Sequence, residues 1–244
     1  MAEKDVSKPV EPPKPVHVGG ESILDRILPY MKQIIIAIAV IAVVLIVIFT
    51  IRWVKERGQI AETRKLDQVL DVAREPIRAK DEKADPQKPS FGDAKERGNA
   101  VLAEMAKQDT AAAGHAFRAG QLMDAGKIED AIAEYRKGTA DKTLEGVMCR
   151  EGLGLALEAK ATAEKDATAR QKGLEEALAA FVAVQPDENG QRRAYALYHQ
   201  GRIQQLLGKR TEAKALFEKA KTASKGDHDL ADLLEKRLAA LGAS

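Results

Sequence analysis

Four histidines, one cysteine and one Gly-Leu-Gly triplet are where chemistry would have to reside in this chain of 244 residues. His17, His115, His199 and His228 are scattered, and none has an acidic partner at ligand spacing, so neither a metal site nor a catalytic base is indicated. Cys149 stands alone, which excludes an intrachain disulfide and a cysteine metal cluster. Gly152-Leu153-Gly154 is half of a dinucleotide fingerprint, but no strand precedes it and a helical period runs through it, so close helix packing is its expected role. The sequence lacks His-Glu-x-x-His, Cys-x-x-Cys, Gly-x-Ser-x-Gly and a phosphate-binding Gly-Lys-Ser/Thr. The expectation is a protein that is not an enzyme and uses no cofactor, no metal and no small-molecule substrate.

Charge excludes a second class. With 39 basic and 37 acidic residues intermixed, a net charge of +2 and only 4% aromatic residues, the chain has no basic footprint or stacking platform for nucleic acid. What remains is recognition of protein and lipid, and the elements that would position it are helices.

From Ile34 to Ile51 the sequence reads IIIAIAVIAVVLIVIFTI, with Thr50 as the one polar side chain, able to bond back to a backbone carbonyl of its own helix. At 1.5 Å per residue this run covers roughly 27 Å, close to the ~30 Å hydrocarbon slab of a bilayer. Lys32 and Arg52 can snorkel to the two interfaces, with Tyr30 and Trp53 at headgroup depth. Its Ile, Val, Leu and Phe residues together favour insertion by on the order of 6 kcal/mol. A buried core helix is a poor reading because no face is polar, and a cleaved signal peptide fails because RWVKERGQ follows without a small-residue cleavage site. Near the run, Lys14, Arg26 and Lys32 precede it, whereas Arg52, Lys55, Arg57, Arg64 and Lys65 follow. The positive-inside count alone therefore leaves the larger, C-terminal part in the cytoplasm.

The remaining chain divides by composition. Residues 1–22 read as a disordered polar tail rich in proline, and 23–57 as the anchor, with a transmembrane helix at about 33–53. Residues 58–92 read as an amphipathic linking helix through Ile60, Leu66, Val69, Leu70 and Ala73, ended by Pro76, followed by an exposed loop over 79–92. From 93 to 244 everything follows the helical period, with Asp93 and Asp227 as helix N-caps. Leu144, Val147, Met148, Gly152, Leu155, Ala156 and Ala159 mark the apolar stripe of the clearest helix, and Leu230, Leu233, Leu234, Leu238 and Leu241 that of the last. Gly126, Gly138 and Gly208 are expected to stop helices in the left-handed conformation.

One short helix is written twice. DAGKIEDAIAEYRKG (124–138) returns as LLGKRTEAKALFEKA (206–220), matching Gly126, Lys127, Ala131, Ala133 and Lys137 to Gly208, Lys209, Ala213, Ala215 and Lys219, with Phe217 for Tyr135. The wider frame is Ala119, Gly126, Ala131, Tyr135, Gly138 in one copy and Gly201, Gly208, Ala213, Phe217, Ala220 in the other. A middle copy is expected at Gly152, Ala177, Phe181 and Val184, with a longer polar turn through TAEKDATARQK. This frame resembles the tetratricopeptide repeat, in which stacked helix pairs bury a stripe that one pair cannot bury alone. The resemblance implies an all-α fold, one N-terminal transmembrane helix followed by a tetratricopeptide-repeat-like α-hairpin solenoid. It also implies a concave groove lined by the first helix of each pair, with Met123, Leu153, Tyr195, Tyr198, Arg202 and Gln205 as candidate partner contacts.

A polar tail, one anchor ending in Arg52-Trp53, an amphipathic helix and degenerate repeats to the C-terminus resemble the YfgM-type family of bacterial inner-membrane proteins. That resemblance implies an ancillary subunit of the SecYEG translocon, single-pass in the inner membrane. Its repeat domain would lie in the periplasm, its partners would be translocon subunits and periplasmic chaperones, and its task would be to assist hand-over of translocated chains. The alternative is a scaffold or assembly factor of another envelope complex, in division or secretion; a membrane-tethered enzyme is the third reading.

Overall fold

The computed structural model describes residues 28–79, 83, 85, 90–110, 112–224 and 226–242, and among these every regular element is a helix. After a single 3-10 turn (Leu28–Tyr30) come α1 (Met31–Arg74), α2 (Ala94–Gln108), α3 (His115–Asp124), α4 (Ile128–Gly138) and α5 (Leu144–Ala163). They are followed by α6 (Ala167–Val184), α7 (Arg193–Leu206), α8 (Arg210–Ala223) and α9 (His228–Gly242). The expected tail over 1–22 and most of the loop over 79–92 lie outside the described residues.

The chain divides into two units after Gly58. The first contains the one helical segment among the described residues that is long and apolar enough to cross a membrane, and none of its apolar window is buried within the protein. Thr50 Oγ1 donates to the Ile46 carbonyl at 2.7 Å, so the single hydroxyl of the run is satisfied inside its own helix, as its sequence position suggested.

In the second unit the remainder of α1 acquires a packed face. Val69 is fully buried, and with Leu66, Val72 and Ala73 it meets Val101, Met105 and Ala113. The helix stops at Arg74, two residues before Pro76, whose ring opposes helical continuation. The ends of the following loop are tied: Phe91 N donates to Pro76 O at 2.9 Å and Arg78 N to Phe91 O at 2.8 Å. Asp93 then caps α2 by accepting from Glu96 N at 2.7 Å, and Asp227 caps α9 by accepting from Leu230 N at 3.0 Å.

From α2 onward each helix packs against the next. The turns α3–α4 and α7–α8 are built alike, as their sequences require. Gly126 and Gly208 both have φ +76°. Lys127 N donates to Leu122 O at 2.8 Å and Gly126 N to Met123 O at 2.9 Å; Lys209 N donates to Gln204 O at 2.9 Å and Gly208 N to Gln205 O at 3.0 Å. Each is a Schellman turn, in which glycine takes the left-handed position and two orphan carbonyls of the helix end are satisfied. Open space surrounds both glycines, so conformation and not crowding selects them.

Three expectations need correction. Gly138 is the last residue of α4 and has no positive φ; it is small because a Cβ there would collide with the Cys149 side chain. The extra residues between Gly152 and Phe181 make no long turn: they extend α5 and α6, leaving Glu164, Lys165 and Asp166 as the connection. The small residue facing Phe181 is Gly154, whereas Gly152 faces the ring of Tyr135.

Candidate partner-binding face

Of the six residues singled out by the repeat frame, five are half-exposed and Tyr198 is buried. Met123 and Leu153 are half-buried against the main core. Tyr198 is only 7% exposed, with its ring 6.0 Å from Phe217 and 5.3 Å from His199, so it is a packing residue. Tyr195 donates its hydroxyl to Asp227 Oδ2 at 2.8 Å and lies 4.1 Å beneath the Arg192 guanidinium. Arg202 pairs with Glu158, bonds His199 Nδ1 at 3.1 Å and sits 5.7 Å over Tyr198. Gln205 and Arg202 border a shallow recess of about 560 Å³ with Glu158, Leu206 and Arg237.

Two of the histidines, His115 and His199, do have acidic partners, supplied across helices and therefore invisible to local spacing. His115 Nδ1 lies 2.8 Å from Glu134 Oε1, and His199 Nε2 lies 3.4 Å from Glu151 Oε1. Glu134 also accepts from Lys137 at 2.6 Å. Burial would raise the Glu134 carboxyl, but the hydrogen bonds from Lys137 and His115 outweigh it and hold the group below the usual carboxylate range. No group of three metal-binding side chains occurs among the described residues. Cys149 is fully buried, and burial together with Glu145 pushes its thiol up to about 11, far from nucleophilic thiolate.

A polar ladder joins α5 to α7. Glu151 and Glu158, two helical turns apart, are buried on the same side of α5. Glu151 is held bidentately by one edge of the Arg192 guanidinium, Nε donating to Oε2 at 2.9 Å and Nη2 to Oε1, and Glu158 pairs with Arg202. Desolvation works against the charged form of Glu151, yet hydrogen bonds from His199 and Arg192 prevail and lower its pKa. The His199 ring stacks on Phe181 at 4.7 Å and 14°. Each named member is engaged by another, so the ladder fixes α7 against α5, while Glu158 Oε2 is buried without a hydrogen-bond partner.

Beside this ladder, α5 exposes large apolar side chains: Leu144 is 63%, Met148 49% and Leu155 36% exposed. With Tyr135, Gly152, Glu151 and Arg192 they line a groove of about 380 Å³. The sequence assigned these three residues to a single core stripe with Gly152 and Ala156; the structure splits that stripe. Besides Leu157, Glu151 and Glu158, the buried positions of α5 hold small residues, and at Gly146, Gly152 and Gly154 an added Cβ would collide with its neighbour. Three bulky residues, Leu144, Met148 and Leu155, are left facing outward. The signal for the groove was the Leu144, Met148 and Leu155 spacing itself, read for polarity alone.

Comparison of the chain with protein-family models, curated proteins and solved structures finds no match. The fold and site define, on their own evidence, a helical protein with, among the described residues, one helix long and apolar enough to cross a membrane.

Proposed function

We propose that the chain is a non-catalytic protein-interaction module tethered to a membrane by residues 34–51, its helix pairs stacked as a tetratricopeptide-repeat-like solenoid. The observation that carries this reading is the outward row Leu144, Met148 and Leu155, rimmed by the Glu151–Arg192 pair. Contiguous apolar side chains with a polar border mark interaction surfaces. The twin Schellman turns support the repeat reading, and the apolar run supports the tether. Tethering keeps the groove at high effective concentration toward a membrane-bound partner.

On the family resemblance the partner is the SecYEG translocon, the domain is periplasmic, and the chain assists hand-over to periplasmic chaperones. A photo-crosslinking residue at Met148 in the full chain in membranes tests the groove, with Val182, 53% exposed on α6, as the control. The expected result is a discrete adduct with a translocon subunit or periplasmic chaperone from position 148 and none from 182; equal adducts at both positions contradict the groove. A division or secretion-system subunit recovered from the 34–51 segment replaces the translocon reading with the scaffold reading. Protease added to intact spheroplasts should cut within residues 79–92; protection there reverses the orientation in favour of the charge count.

A further inference from the structure

The helical turns that follow the apolar run carry an asymmetric set of charges. Arg52, Lys55 and Arg57 are exposed on α1 together with Trp53, against one acid, Glu56. The Arg57 guanidinium lies 4.1 Å over the Trp53 ring. Arg52 and Lys55 have no salt bridge or side-chain hydrogen bond among the described residues, unlike Lys65 further on, which Glu62 holds at 2.8 Å. At the other end of the run, Lys32 is the one cation among the described residues.

Helical rise decides where these groups sit. Arg52 to Arg57 spans roughly 7.5 Å along the axis. A headgroup layer is about 5–7.5 Å thick, taking half the difference between a ~40–45 Å bilayer and its ~30 Å core. Once the apolar run fills the core, all three cations fall in the layer that holds lipid phosphates, and an indole prefers that same depth. Arg64 and Lys65 lie beyond Gly58 in the other unit and are not part of the set.

We propose that Arg52, Lys55 and Arg57 form a collar that recruits anionic phospholipids of the phosphatidylglycerol kind in preference to zwitterionic ones. Charge complementarity selects the occupant, and continuity with the apolar segment places it. Arg57 is oriented by the Trp53 face, leaving the edge of its guanidinium fork for phosphate oxygens. The inference rests on the reading that residues 34–51 span a bilayer.

Trp53 is the only tryptophan of the chain, so its fluorescence reports on the collar alone. The full chain is reconstituted in phosphatidylcholine vesicles containing a minor fraction of phosphatidylglycerol. Bromine is placed near the headgroup end of the acyl chains, on the phosphatidylglycerol in one set and on an equal amount of phosphatidylcholine in the other. Quenching by the anionic lipid is expected to correspond to about threefold or greater enrichment around Trp53. That enrichment should collapse at ~1 M salt, where the Debye length falls to about 3 Å. The triple variant Arg52→Gln, Lys55→Gln, Arg57→Gln should show equal quenching by both lipids, whereas Arg52→Lys with Arg57→Lys should retain the preference. Equal quenching of the unaltered chain at low salt overturns the collar while leaving the span intact. No quenching by either lipid overturns the span itself, and the collar with it.

Discussion

The hairpins α3–α4 and α7–α8 are close copies, and the hairpin α5–α6 between them is not. The outer two share a left-handed glycine, the same pair of turn hydrogen bonds, and an aromatic on the second helix, Tyr135 or Phe217. The middle one keeps the aromatic, Phe181, but lengthens both helices, replaces the glycine turn by Glu164, Lys165 and Asp166, and leaves Leu144, Met148 and Leu155 in solvent. Features common to all three hairpins therefore belong to the packing of helix pairs, and the features unique to the middle one are where recognition is to be sought.

The aromatics should be the strongest shared element. Phe181 and Phe217 are fully buried, each against a glycine whose added Cβ would stand 2.5 Å from the ring. Phe181→Ala and Phe217→Ala should each cost about 3–5 kcal/mol, read as a fall in the urea midpoint at unchanged slope. A loss at one position only would show that the two hairpins are not energetically equivalent.

Next is the ladder that belongs to the middle hairpin. Glu151→Gln strips a buried carboxylate from Arg192 and His199 and should cost about 2–3 kcal/mol at neutral pH. Because the folded carboxyl titrates below its unfolded value, the unfolded chain binds the proton first as the solution is acidified. The Glu151 contribution is thus complete above the ordinary carboxylate range, is lost as pH falls through the folded pKa, and should be missing from the acid limb of the Glu151→Gln stability profile. Identical acid limbs would remove Glu151 from the account.

The turns come third. Gly126→Ala and Gly208→Ala, both at φ +76° in open space, should cost about 1–2 kcal/mol each, through backbone conformation alone. Unequal costs would break the equivalence of the outer hairpins. The smallest effect is expected on the groove: Met148→Ser should change stability by no more than about 0.5 kcal/mol while abolishing the adduct from a photo-crosslinking residue placed at Leu155 of the same groove. A large destabilisation would mean that Met148 is packed and the face is closed.

What the sequence revealed follows the reach of each interaction. The Asp93 and Asp227 caps, the twin glycine turns and the Thr50 back-bond are made within a few residues, so local spacing was enough to find them. The His115–Glu134 and His199–Glu151 pairs depend on which helices become neighbours, which local spacing cannot express. Gly152 was matched to Phe181 because repeat alignment counts residues, but the lengthened helices changed the register and delivered Gly154 instead. The groove was missed for a different reason. Hydropathy puts Leu144, Met148 and Leu155 in one apolar stripe with Ala156, whereas the packing of α5 buries Ala156 and Leu157 and leaves the other three outward. Tyr198, proposed as a surface contact, is buried with its ring 6.0 Å from Phe217, a cross-helix contact that local spacing does not express.

The account stands on a helical domain that holds itself together without the apolar segment. Circular dichroism and urea unfolding of a fragment comprising residues 58–244, with the apolar run removed, test this directly. The predicted result is a water-soluble, helix-rich chain that unfolds in one cooperative transition, with Cys149 protected from thiol reagents until that transition; a strand-rich or unstructured fragment with a freely reactive Cys149 would contradict it.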